Sequence, residues 1–208
     1  VPPSNFLSRL ADGYRRYPHV VGVGGRLFAP ANVIKNNLYA KYEWYVSTLM
    51  YRQGETEIVE GFECPCGGTN SMSYYRHVLL TDKFDESFPC AAGEDADLKW
   101  RICYSGSRLL YIPITVIHLQ EYSRTAFRTQ QMRHGVGDIY FSRKHATATT
   151  YFRVVLRFSK RLLVVLPDTF KMPFDIAWAH MIAGLYQCVG QWAELNKISQ
   201  RSKLNTKI

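Results

Sequence analysis

Gly93-Glu94-Asp95-Ala96-Asp97-Leu98-Lys99-Trp100-Arg101 is the stretch on which the reading of this chain turns. A glycine opens it and three carboxylates follow within four residues. Leu98 and Ile102 then share one face of the helix that this pattern predicts, and Gly106 falls where a C-terminal cap belongs. Carboxylates in a first turn are favoured by the partial positive charge of a helix N-terminus. The same run has a chemical use if it faces a cleft, with one carboxylate accepting a proton as a general base while its neighbour orients a polar substrate. At the level of these residues alone, both readings stand.

Outward from it, the order of motifs carries more than any one of them. Gly67-Gly68-Thr69-Asn70-Ser71-Met72-Ser73-Tyr74-Tyr75-Arg76 comes first, then the turn Phe84-Asp85-Glu86, the acidic stretch, and Gly106 to Pro113 leading through a strand pattern to His118. Gly67 and Gly68 permit a bend or a close backbone approach before strand periodicity over Ser71–Tyr75, and Arg76 to Leu80 reads as a short helix. Further upstream, a helix capped by Ser4 or Asn5 runs through Leu10 and Tyr14. The β-branched, glycine-studded Val20–Gly25 reads as a buried strand. It is not a dinucleotide fingerprint, because the third glycine of that motif is missing. The aromatic-rich segment Asn32–Tyr51 is either packing or a wall against which a sugar ring stacks. Downstream, Ser123 caps a helix expected to end at His134-Gly135.

Composition divides the chain. Of 208 residues with a net charge of +9, positions 1–123 carry 12 Lys+Arg against 13 Asp+Glu, and positions 124–208 carry 14 against 4. The basic excess therefore belongs to the C-terminal part, where it suits anionic lipid, nucleic acid or a phosphorylated substrate. The five cysteines lack the second close pair that a four-ligand zinc site needs, so Cys64-Pro65-Cys66 and the other three read as reduced thiols. No apolar run is long enough to span a bilayer.

The series of motifs resembles the second half of the catalytic domain of family 2 glycosyltransferases, inverting nucleotide-sugar enzymes of GT-A fold. That resemblance implies an α/β fold: a partial GT-A, Rossmann-like mixed sheet flanked by helices over residues 1–145, followed by basic amphipathic helices over residues 146–208. It implies Asp95 as the catalytic base with Glu94 beside it taking hydrogen bonds from substrate hydroxyls. Gly68, Thr69 and Asn70 are then expected on the sugar side, Asp97 and Arg133 in substrate binding, and His118 as a ligand to Mn²⁺ or Mg²⁺. Chemistry agrees with a carboxylate base, since a sugar or lipid hydroxyl is too weak an acid to attack an anomeric carbon unaided. Gln130-x-x-Arg133-His134 partly matches the Gln-x-x-Arg-Trp motif of processive members, with His in place of Trp. The family's Asp-x-Asp motif precedes a Val-Pro-Pro segment, and this chain opens on Val1-Pro2-Pro3. The nucleotide-binding half is thus expected to lie outside the sequence, and these residues alone are expected to be inactive.

In the C-terminal part, Tyr151 to Leu166 alternates basic and apolar residues. Phe174, Trp178, Met181, Leu185, Val189 and Trp192 recur three or four apart. Such helices either pack on the catalytic domain or lie in the interface of an anionic membrane, and Ser199 to Ile208 reads as a fraying polar tail. Two functions follow. The first is transfer of a sugar from a nucleotide-sugar donor to a glycan or lipid-linked acceptor, at the cytoplasmic face of a membrane or in the cytoplasm. The alternative is a noncatalytic membrane- or polyanion-binding module with a structural acidic cluster. Nucleic acid is not expected as a partner, because the aromatic residues are not interleaved with the basic ones in a recognisable motif.

Overall fold

In the computed structural model, residues 1–145, 150–156, 159 and 172–205 are described, the side chains of 201–205 excepted. They form two compact units. The first comprises Val1–Glu86 with Asp95–Glu121, and the second Ser87–Glu94 with Tyr122–Ile208.

The first unit is mixed α/β. In chain order it holds α1 (Phe6–Arg16), β1 (Val20–Phe28), α2 (Ala31–Asn36), α3 (Leu38–Tyr45), β2 (Ile58–Glu60), β3 (Met72–Tyr74), α4 (Arg76–Thr81), α5 (Glu94–Tyr104) and β4 (Arg108–Ile117). The strands make one mixed sheet in the order β2-β4-β1-β3. Its two long central strands, β1 and β4, run parallel, and a short antiparallel strand closes each side. Helices flank it because both faces of the central pair are apolar, as buried strands require. On one face, Leu10 of α1 packs with Val20, Val23, Leu110, Ile112 and Ile114. On the other, Leu109 and Tyr111 meet Cys64 and Cys66. Leu98 and Ile102 of α5 pack on Val78, Val21 and Tyr74, so the face they share is a core face.

Local signals explain where elements begin and end. Asn37 caps α3 by accepting from the Tyr39 and Ala40 amides, as a short polar side chain at that position should. Asn5 stands at the cap of α1 without a side-chain cap bond. Past the last turn of α5, Gly106 has φ +94°, the left-handed conformation that ends helices at glycine.

The second unit is helical where it is described. It contains α6 (Arg124–Lys144), a helical segment over residues 151–156, and α7 (Phe174–Asn205). Ser123 caps α6, its Oγ accepting from the Ala126 amide at 3.1 Å. The helix does not end at His134-Gly135 but continues to Lys144. The reason is that Gly135 is a crossing point: a Cβ there would lie 2.1 Å from the Gln187 carbonyl oxygen of α7. Reciprocally, a Cβ on Gly190 would lie 2.1 Å from the Met132 carbonyl oxygen of α6. The two backbones therefore touch where side chains would hold them apart. Around the crossing the contacts are polar. Gln187 Nε2 donates to Gln131 Oε1 at 2.7 Å, and Gln191 Nε2 to Asp138 Oδ2 at 3.3 Å.

This packing moves α6 out of the expected 1–145 domain and into the unit that contains α7. It also turns the α7 stripe outward. Fractional exposure is 79% at Phe174, 50% at Trp178, 48% at Leu185, 44% at Val189 and 46% at Trp192, while Ile176, Ala177, Ala179 and Ala183 are buried. The expected tail at Ser199 is helical as far as Asn205, and residues 206–208 lie outside the described residues. Of the Tyr151–Leu166 pattern, the part after Leu156, apart from Ser159, also lies outside them.

Candidate active site

Within the first unit, Asp95 of the acidic stretch comes to Gly68 of the glycine pair. Gly93 has φ +92°, which turns the chain into α5 and sets Glu94, Asp95 and Asp97 in its first turn and a half. Asp95 is half-buried. Its Oδ1 accepts from the Ala96 amide at 2.8 Å. Its Oδ2 faces Gly68, where an added Cβ would come to 3.9 Å. No side chain stands between this oxygen and the Gly68 backbone, and no cation pairs with Asp95 among the described residues. Gly68, Thr69 and Asn70 are exposed, the last two in a single 3₁₀ turn ahead of β3. Ser71 anchors that turn, donating from Oγ to the Gly25 carbonyl at 3.0 Å.

Beside Gly68 opens a cleft of about 330 Å³, lined among others by Arg52, Gln53, Phe62, Cys64 and Lys99. Lys99 follows Asp95 by one helical turn; its Nζ donates to the Cys64 carbonyl and lies 5.4 Å from the Phe62 ring centroid. Arg52, with φ 56°, is held by Glu60 at 2.6 Å and by the Glu63 carbonyl at 2.8 Å. The cleft therefore offers cationic, carbonyl and aromatic groups within the volume of a small polar ligand. Behind the sheet edge, the Tyr74 hydroxyl is buried without a hydrogen-bond partner among the described residues. Burial pushes its pKa up, and the charges of Cys66, Cys103 and Asp95 add to the effect.

The remaining expected residues are placed differently. Asp97 has no exposed surface and is ion-paired with Arg101, Oδ2 to Nε at 3.0 Å. Arg101 in turn donates to the Lys83 carbonyl at 2.7 Å. Asp97 thus fastens α5 to the end of α4 and is corrected from a substrate ligand to a structural carboxylate. Glu94 opens α5 and belongs to the second unit; its Oε2 is buried with no hydrogen-bond partner among the described residues. Arg133, exposed on α6, is also in that unit, and its carbonyl accepts from Cys90 Sγ at 3.6 Å.

His118 follows β4 in the first unit. Its amide donates to the Phe28 carbonyl at 2.8 Å, and burial lowers its imidazole pKa. Among the described residues no three or more His, Cys, Asp or Glu side chains gather to hold a metal ion. A single imidazole does not supply the oxygen-rich set that Mn²⁺ or Mg²⁺ takes, so the residues present do not fit a metal at His118.

Sequence reasoning passed over Lys99 and Tyr74. Lys99 was findable, because it stands four residues from Asp95 on one helical face. Tyr74 carried no such signal, since its solitary hydroxyl follows from which side of the sheet edge it occupies. No family model matches this chain, and no curated protein or solved structure matches it either.

Proposed function

We propose that the first unit is the acceptor side of an inverting glycosyltransferase of the family 2, GT-A type. It would use Asp95 as general base for transfer from a nucleotide-sugar donor to a glycan or lipid-linked acceptor. One observation carries the reading: Asp95 is a half-buried carboxylate with one oxygen tied to the helix start and the other open toward the exposed Gly68 backbone. In the step this supports, the acceptor hydroxyl passes its proton to Asp95 Oδ2 as its oxygen bonds to the anomeric carbon. The bond from that carbon to the diphosphate oxygen breaks on the opposite side, which inverts the configuration. Positioned proton transfer of this kind is worth about 10²–10⁴-fold in rate. No step is assigned to a metal.

The test compares the complete polypeptide with its Asp95→Asn variant over a panel of nucleotide sugars, with and without Mn²⁺ or Mg²⁺. The expected result is a kcat lowered by about 10²-fold or more with donor affinity retained. Equal turnover in the two proteins overturns the assignment.

A second reading concerns the second unit and rests on the outward α7 stripe. An amphipathic helix with tryptophans on its apolar face, in a segment carrying 14 Lys+Arg against 4 Asp+Glu, is suited to lie in the interface of an anionic membrane. None of the described helices is long and apolar enough to cross a membrane. Co-flotation with vesicles containing phosphatidylserine, and not with neutral vesicles, is the expected result. Binding to neither, or equal retention by nucleic acid, overturns it.

A further inference from the structure

The cysteine pair at the edge of the cleft is used by neither reading, and its geometry is specific. Cys64 Sγ and Cys66 Sγ lie 3.3 Å apart, buried, with Pro65 between them. Bonded sulfurs are about 2.05 Å apart, so closure asks for little more than 1 Å of movement. The loop is pinned around the pair. The Cys64 amide donates to the Gly61 carbonyl at 3.1 Å, the Pro65 carbonyl accepts from Gln53 Nε2 at 2.6 Å, and Lys99 Nζ donates to the Cys64 carbonyl. Both cysteines line the 330 Å³ cleft, which gives a water-sized oxidant a way to them.

We propose that Cys64 and Cys66 are a reversible oxidation site, a dithiol that hydrogen peroxide converts to an intramolecular disulfide on the loop carrying Gly68. The Cys64 thiolate attacks one peroxide oxygen, forming a sulfenic acid and releasing hydroxide. Cys66 then attacks the sulfenic sulfur, its proton leaving with the displaced hydroxyl as water. Two thiols and one peroxide thereby give one disulfide and two waters, with the sulfurs oxidised and the peroxide reduced.

The division of roles has a physical basis. The hydrogen bond from Cys66, with the Lys99 ammonium nearby, brings the Cys64 thiol down to about 7, against the desolvation that burial imposes. Cys66, as the donor in that hydrogen bond and itself buried, is pushed up. Burial drives Cys103 up to about 11 and also raises Cys90. Because the thiolate is the nucleophile, oxidation is directed to Cys64 and resolved by its neighbour. Cys66 immediately precedes Gly67, at φ +130°. Drawing its sulfur toward Cys64 therefore acts on the backbone that faces Asp95, whatever chemistry Asp95 performs.

The experiment treats the full chain with stoichiometric peroxide at neutral pH, alkylates the remaining thiols and maps the peptides by mass spectrometry. The expected product carries an unalkylated, dithiothreitol-reversible Cys64–Cys66 disulfide, with Cys90, Cys103 and Cys188 alkylated. In the Cys66→Ser variant, dimedone should trap a sulfenic acid at Cys64. In Cys64→Ser, peroxide consumption should fall about tenfold or more, as expected when the thiolate is removed. Recovery of Cys64 and Cys66 as alkylated thiols while another cysteine is oxidised overturns the proposal, as does a dimedone adduct elsewhere than Cys64. Because the wild-type map requires no variant to fold and no turnover, its outcome is independent of the glycosyl-transfer test.

Discussion

The two units differ in how much of their apolar side-chain surface they enclose. In the first, Leu98, Leu109, Leu110 and Ile112 are fully enclosed between sheet and helices. In the second, α6 and α7 cross at Gly135 and Gly190 with Gln131 and Gln187 bonded across, Ile139 and Leu195 form a small enclosed cluster with Val154, and phenylalanine, leucine, valine and tryptophan side chains of α7 stand outside. Small residues that let backbones touch, with amides hydrogen-bonded across the seam, are the means by which helices associate when their outer surface is not in water. A core of enclosed aliphatic groups is instead what water itself enforces. Both units therefore enclose aliphatic groups, and the second in addition leaves a stripe of large apolar side chains on α7 exposed.

That contrast can be broken at four points. Leu98→Ala, in the enclosed core, is expected to have the largest effect, about 3 kcal/mol of stability lost by denaturant titration. A cost near zero would show that α5 is not packed as described. Gly190→Ala comes next. The substitution favours a helix by about 1 kcal/mol, but its methyl group would meet a carbonyl oxygen at 2.1 Å, and crowding of that kind costs about 1–3 kcal/mol. A lower melting temperature is expected, and a higher one would mean that the helices do not cross there.

Leu185→Ala should separate the two units most cleanly. In solution it is expected to change stability by no more than about 0.5 kcal/mol, while binding to anionic vesicles weakens several-fold. A cost like that of Leu98→Ala would mean that the stripe is covered.

The smallest effect is one of pH. The Arg16 guanidinium, hydrogen-bonded to Glu57 at 2.6 and 2.7 Å, holds that carboxylate below its ordinary value. A carboxylate whose folded pKa is depressed stabilises the fold above its unfolded pKa of about 4.3, and this contribution is lost as pH falls through the folded value. Melting curves of Glu57→Gln should therefore lie below wild type at pH 6 and converge on it toward pH 3. A gap that widens on acidification would reverse the sign.

How much of this was legible beforehand follows the range of the signal. The start of α5 and its stop at Gly106, the strands from Val20 and Arg108, and the Ser123 cap each depend on residues within a turn or two, and each stands where local chemistry puts it. Three readings needed partners distant in sequence. Gly135 looks like a helix stop until the Gln187 carbonyl is set against it. Asp97 resembles its acidic neighbours until the packing of α5 encloses it with Arg101. Periodicity found the α7 stripe and could not say which way it faces, because spacing identifies a face but not its surroundings.

The sheet order also bears on how the chain is made. Val20 pairs with Arg108, whereas Gly22 pairs with Tyr74, so the edge partner of β1 is synthesised well before its central one. At the roughly 5–20 residues per second of translation, β1 spends on the order of ten seconds without its parallel neighbour. In the later part of that interval, once Tyr74 has been made, β3 can pair with Gly22–Gly24 on one flank of β1. Three residues long, β3 covers only that stretch of β1, a partial selvage for the nascent strand until β4 emerges.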